Sequence, residues 1–326
     1  MRNKNIQFSF LVIMMLASMV ACKKEEYTIP DPVSLLTNDC IKRTIGPSIV
    51  SLPLEFAYAM AIPKSSGKLV SAQVEASIAG ASGTYLEHRS FYTNSGGVDV
   101  PVLVGSPSLT VDKTTKMTYS IDTNAATLRY NYVIPEGARG QSVSFTFSVT
   151  SSDGKTASYK MGPYTISKMS INRNLAVSNG VNAYISIEDM AVYNAAAAAA
   201  APGKIDLVYL FRAAPTTFTH ALVSPAADAA YLPGVTLPAG LNRSTKLRKV
   251  FNLQDRNLAN LQFGIYVDDV DLINVDMVDM PNYAIGLRAE AGVWVETADK
   301  KYRAYIFVNS INAAGTAVIS MLRYTL

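Results

Sequence analysis

Ser142-Val143-Ser144-Phe145-Thr146-Phe147-Ser148-Val149-Thr150 alternates polar and apolar side chains without an exception. Only an extended backbone puts every second residue on one face, so this stretch reads as a strand with one buried side. Ser151-Ser152-Asp153-Gly154 follows, and Asp-Gly supplies the positive φ of a tight reversal, which predicts that Lys155 to Ile166 runs back as the partner strand. Upstream, Leu69 to Ile78 lacks a helical stripe of large residues and is bounded by Gly67 and Gly80. Tyr85 to Thr93, Met117 to Asp122 and Thr127 to Val133 continue the series, the last with Leu128, Tyr130 and Tyr132 on one face. Short strands separated by Gly, Asn, Pro and Asp clusters predict a β-sandwich over residues 41–168. The polar stretch Ser167 to Asn174 is the expected domain boundary.

The segment "SFTFSVTSSDGKTASYKMGPYTI" resembles the closing hairpin of immunoglobulin-like modules common in Bacteroidetes surface proteins. That resemblance implies an immunoglobulin-like sandwich and fixes no function. Residues 169–326 mix classes. Tyr184 to Ile187 reads as a strand, Glu188-Asp189 as an acidic first turn, and Met190 to Ala201 as a helix ended by Pro202-Gly203. The seven alanines Ala195 to Ala201 need only helix propensity to explain them. Lys204 to Phe211 is expected as a strand, Asp255 to Leu261 as a second short helix, and Gly264 to Leu272 as another strand. Gly292 to Thr297, Tyr302 to Asn309 and Thr316 to Leu326 read as a closing meander. The chain is therefore expected to be mainly β, with a β-rich α+β or sandwich domain carrying short helical insertions at its C-terminal end. The strand, the Ala-rich helix, "KIDLVYLF" and "THALVSP" together resemble the C-terminal half of the DUF4466-like group, two-domain Bacteroidetes lipoproteins of unknown function. The resemblance implies the architecture and no chemistry.

The N-terminus carries an address. A positive end (Arg2, Lys4), an apolar run from Ile6 to Leu16 and small residues up to Ala21 make an expected signal peptide over 1–21. The apolar run is shorter than the roughly 20 residues that span a bilayer. Met19-Val20-Ala21-Cys22 resembles the bacterial lipobox, which implies acylation of Cys22, and Lys23-Lys24-Glu25-Glu26 resembles the export signal of Bacteroidetes surface lipoproteins. Residues 22–40 are then the lipidated end and a tether with Pro30 and Pro32. The expected location is the outer membrane, anchored through acyl chains on Cys22 and facing the exterior. Without residues 1–21 the chain holds 27 basic and 25 acidic residues, which is no nucleic-acid signature. Cys40 would be the one thiol left, and it reads as a small apolar filler.

Catalytic chemistry is thinly represented. His88 and His220 are the only histidines, and neither sits in a metal-binding spacing, a nucleophile elbow or a phosphate loop. His220 is expected in a loop or edge strand with a polar partner. On the strand predicted for 264–272, Asp269 and Asp271 would share a face, where they could hold Ca2+ or act as a glycosidase pair. Without these the chain needs no cofactor. Trp294, the only tryptophan, with Tyr302 and Tyr305 on the next strand, could stack on sugar rings, although core packing is the simpler use of cross-strand aromatics. Arg243, Lys246, Arg248 and Lys249 read as a solvated basic loop. The expectation is a non-enzymatic surface lipoprotein that captures an extracellular ligand, glycan favoured. The alternative is an adhesion or assembly protein docking a surface protein, with a glycoside hydrolase third.

Overall fold

The computed structural model describes residues 35–259 and 264–326. The signal peptide, Cys22 and residues 22–34 of the expected tether lie outside the described residues. Among the described residues eleven strands precede residue 167: β1 (Thr37–Lys42), β2 (Pro53–Ala61), β3 (Leu69–Ala76), β4 (Tyr85–Leu86), β5 (Arg89–Thr93), β6 (Asp99–Leu103), β7 (Leu109–Val111), β8 (Thr114–Thr118), β9 (Ala125–Val133), β10 (Ser142–Ser151) and β11 (Thr156–Thr165). They form a four-stranded sheet, β1-β2-β9-β4, facing a five-stranded one, β11-β10-β3-β8-β7, with β5-β6 as a separate hairpin. The fold is a β-sandwich, as the alternation predicts. Val143, Phe145, Phe147 and Val149 are at most 1% exposed, and Gly154, at φ +80°, makes the turn into β11. The two inner faces meet in aromatic contacts, with Phe145 4.9 Å from Phe56 and 5.0 Å from Tyr132. The tether ends earlier than expected, because Thr37–Lys42 pairs with β2 and buries Cys40 in this core. Burial first and the Asp39 carboxylate second push the Cys40 thiol up to about 12, so it stays protonated.

The second domain is a sandwich too. Its elements are β12 (Ser170–Ser178), β13 (Asn182–Ser186), β14 (Ala191–Asn194), α1 (Ala195–Ala200), β15 (Leu207–Arg212), β16 (Thr219–Val223), β17 (Lys246–Phe251), α2 (Arg256–Ala259), α3 (Asp269–Asn274), β18 (Tyr283–Leu287), β19 (Ala291–Glu296), β20 (Tyr302–Ile311) and β21 (Thr316–Thr325). The sheets are β12-β21-β20-β19-β17 and β14-β13-β15-β16-β18, antiparallel throughout. Three apolar layers result. Val293, Val295, Ile306 and Met321 meet Ile185, Leu207 and Leu222 between the sheets. Outside the first sheet, Trp294, Tyr305 and Phe307 lie under Leu258, Val267, Leu272 and Met277. Outside the second, Val208, Leu210 and Ala221 are covered by Ala198, Ile205 and Leu241. Both sheets are thus buried on both faces, which is why β19 shows no alternation of buried and exposed residues.

Two sequence expectations fail locally. The helix starts at Ala195 and not at Met190, because Asn194 is its cap, accepting from Ala197 N at 2.9 Å, and the preceding residues pair with β13. Residues 264–272 are not a strand. Asp268 accepts from Val270 N and Asp271 N while Asp271 accepts from Asp268 N, a reciprocal cap that starts α3. Residues 36–326 form one compact unit in which Ile49 of the first sandwich packs with Met169 and the cover of the second.

Candidate functional site

The aromatic and acidic residues singled out in the sequence as ligand sites are part of the fold's own packing and hydrogen bonding. Trp294 is 7% exposed, Tyr302 8% and Tyr305 fully buried, so the expected stacking platform is core. Trp294 faces Tyr305 across β19 and β20 with ring centroids 4.6 Å apart, and the Tyr305 hydroxyl donates to Leu253 O at 2.6 Å. The segment over that face leaves no room for a sugar ring.

Asp269 and Asp271 are corrected likewise. Asp269 accepts from the Ser167 hydroxyl and from Lys168 N at 3.0 Å, holding the interdomain linker, while Asp271 caps α3. The two side chains serve different partners, and no group of three or more His, Cys, Asp or Glu placed to hold a metal occurs among the described residues. The basic run is no solvated loop either. Lys246 donates to Met277 O at 3.0 Å and Arg248 to Asp276 O at 3.2 Å, pinning the covering segment, and both lie on β17. Arg243 reaches Asp206 and Asp299, each at 2.9 Å. Its Nε is out of line for a hydrogen bond to Asp206, so this contact is an ion pair without that bond.

Sequence reasoning missed the feature with the shape of a binding site. A cleft of about 1070 Å³ opens at one end of the second sandwich, where β15, β16, β17, β18 and β20 finish or begin. Phe211, His220, Lys249, Phe251, Arg288 and Asn312 are among its lining residues, with Thr216, Thr217 and Thr219 on one wall. His220 sits on β16 between two strands, not in a loop or at an edge. Its Nδ1 lies 2.6 Å from the Tyr209 hydroxyl and its ring 4.7 Å from Phe211. Burial lowers its pKa, favouring the neutral ring. Lys249 donates to Ile285 O at 2.6 Å and lies 5.3 Å from the Phe251 ring centre. The lining residues come from four separated stretches of the chain, 211–220, 249–251, 286–288 and 311–313, so no local motif announces them.

Fold and cleft define a protein of two joined sandwiches built from antiparallel sheets, with a groove in the second. It belongs to the DUF4466 family: a DUF4466 family protein from Parabacteroides merdae is 48% identical, with a TM-score of 0.86, over 90% of this chain and 100% of that one. "Domain of unknown function (DUF4466)" matches residues 33–166 and "Domain of unknown function (DUF8576)" residues 167–326. The motifs that carry the resemblance in the sequence, "KIDLVYLF" and "THALVSP", lie in the second of these. Two pilins are also similar at low identity. The major pilin GBS80 of Streptococcus agalactiae is 10% identical over 48% of this chain and 66% of its own, with a TM-score of 0.27. BcpA, the major pilin subunit of Bacillus cereus, is 8% identical over 89% and 67%, with a TM-score of 0.30. No curated protein matches.

Proposed function

We propose that the chain is a non-enzymatic lipoprotein, anchored to the outer membrane through Cys22 and facing outward, that captures an extracellular glycan in the cleft of its second sandwich. The cleft carries this reading. It combines aromatic faces (Phe211, Phe251) with amide and hydroxyl groups (Asn312, Thr216, Thr217), the mixture that a sugar's apolar C–H face and hydroxyl rim require. Among the described residues its lining holds no carboxylate, whereas most glycoside hydrolases work with a pair of them, and this favours binding over cleavage. A glycan array probed with the full chain is expected to give hits that Phe251→Ala removes. An array without hits would end the glycan reading. The anchor is tested separately: Cys22→Ser should abolish lipid labelling and detergent-phase partitioning, and a mutant that still partitions would refute it.

An adhesion or assembly role is the second reading. Tyr92, Val98, Val102 and Leu103 on the β5–β6 hairpin and Leu109 and Val111 on the edge strand β7 are exposed apolar residues on the first sandwich. Exposed apolar surface beside a strand edge suits pairing with another chain. Concentration-dependent self-association of the full chain, abolished by Leu109→Lys, would favour it.

A further inference from the structure

We propose that the cleft takes an acidic saccharide, one whose ring carries a carboxylate or sulfate, and that Lys249 and Arg288 hold the acidic group while Phe251 lies against the ring. The proposal rests on the glycan reading and narrows it. Among the described residues, two cationic side chains and no acidic one line the cleft. The acid nearest in sequence to Arg288, Glu290, is bonded to Gln254 Nε2 at 2.9 Å, which engages its charge outside the lining.

Lys249 is fixed and not spent. Its ammonium has three donors, and one goes to Ile285 O at 2.6 Å, which holds Nζ in place and leaves two for a ligand. That same ammonium lies near the ring of Phe251, a residue 54% exposed and without an aromatic pairing among the described residues. An apolar ring of that size left open beside a cation is the arrangement a pyranose with one acidic substituent would fill. It would cover the aromatic face and neutralise the ammonium in a single pose. Asn312, just after β20, has its Oδ1 taken by Ala314 N and Thr316 N and one amide hydrogen given to Thr316 Oγ1, which leaves one amide hydrogen for a sugar hydroxyl, and the Thr217 hydroxyl offers a second partner. The volume, about 1070 Å³, exceeds what one small ring needs and suits an oligomer.

The test is calorimetric titration of the full chain with oligogalacturonate, a chondroitin sulfate oligosaccharide and a neutral maltooligosaccharide. The acidic probes should bind and the neutral one should not, with affinity falling as salt rises from about 50 to about 500 mM. Lys249→Gln and Arg288→Gln, both at exposed positions, should each weaken acidic binding about tenfold without lowering the melting temperature. Phe251→Ala should weaken the oligosaccharides and free galacturonate while leaving any binding of inorganic sulfate unchanged. Equal binding of neutral and acidic probes, indifferent to both charge variants, would overturn the acidic proposal and leave glycan capture standing. Acidic binding that survives both charge variants would move the site elsewhere and overturn it as well. If no saccharide of either kind binds, the proposal and the glycan reading fall together.

Discussion

Asp206 shows how one buried residue sets a property of the whole second domain. It is 1% exposed, accepts from Ile187 N at 2.9 Å and pairs with Arg243. Burial outweighs that hydrogen bond and the arginine, raising its pKa from 3.8 to about 6. A carboxyl that binds its proton more tightly when folded stabilises the fold fully below pH 3.8, and the contribution is lost as pH rises through about 6. The swing is on the order of 3 kcal/mol. Urea denaturation between pH 4 and 7 should therefore show wild type losing stability relative to Asp206→Asn as pH rises. A difference that stays flat, or grows in favour of wild type, would refute this assignment. Residue identity alone could not have announced Asp206, because its burial depends on strands and loops far apart in sequence. The same holds for Trp294 and Tyr305: their pairing across β19 and β20 is legible in the meander, while the cover that turns a platform into core comes from Leu258, Val267, Leu272 and Met277.

At the scale of elements, legibility followed the number of faces a strand buries. β10 has one buried face, so its period of two is written in the sequence and its burial alternates accordingly. Phe145→Ala should cost about 3–5 kcal/mol by leaving a cavity among Phe56, Tyr130 and Tyr132, whereas Thr146→Ala should stay within about 0.5 kcal/mol. Equal losses in chemical denaturation would mean that the two faces were misassigned. α3 is the opposite case. Residues 264–272 read as a strand, but Asp268 and Asp271, three residues apart, form a capping box that starts a helix. Arg303 closes the other end, donating to Leu272 O and Ile273 O. Asp268→Ala should cost about 1 kcal/mol. Because α3 covers Trp294, that loss should appear in tryptophan fluorescence before it appears in far-ultraviolet circular dichroism, and simultaneous change in both would argue against a local role for the cap.

For the whole molecule, the question is whether two sandwiches behave as one body. The contacts between them are specific: Arg139 donates to Lys168 O at 3.1 Å and Met169 O at 2.5 Å, Ser167 N donates to Ser48 O at 2.8 Å, and Ile49 is fully buried beside Met169. None of this was legible in the sequence, where the polar stretch at 167–174 reads only as a domain boundary. Gly46 offers a clean probe. At φ +82° it faces Tyr266 of the second domain, and an added Cβ would lie 2.5 Å from the ring. Gly154 has nearly the same backbone, φ +80°, with nothing within 4 Å of an added Cβ. Alanine at Gly154 should cost only the left-handed strain, about 1–2 kcal/mol. Alanine at Gly46 adds a steric clash across the interface, so it should cost more and also loosen the coupling. Trp294, the only tryptophan, reports the second domain, while circular dichroism reports both. In wild type the two signals should follow one transition, and in Gly46→Ala the fluorescence midpoint should part from the dichroism midpoint. If Gly46→Ala and Gly154→Ala lose the same stability with coincident transitions, the interface contributes nothing to cooperativity and the sandwiches are independent modules on one chain.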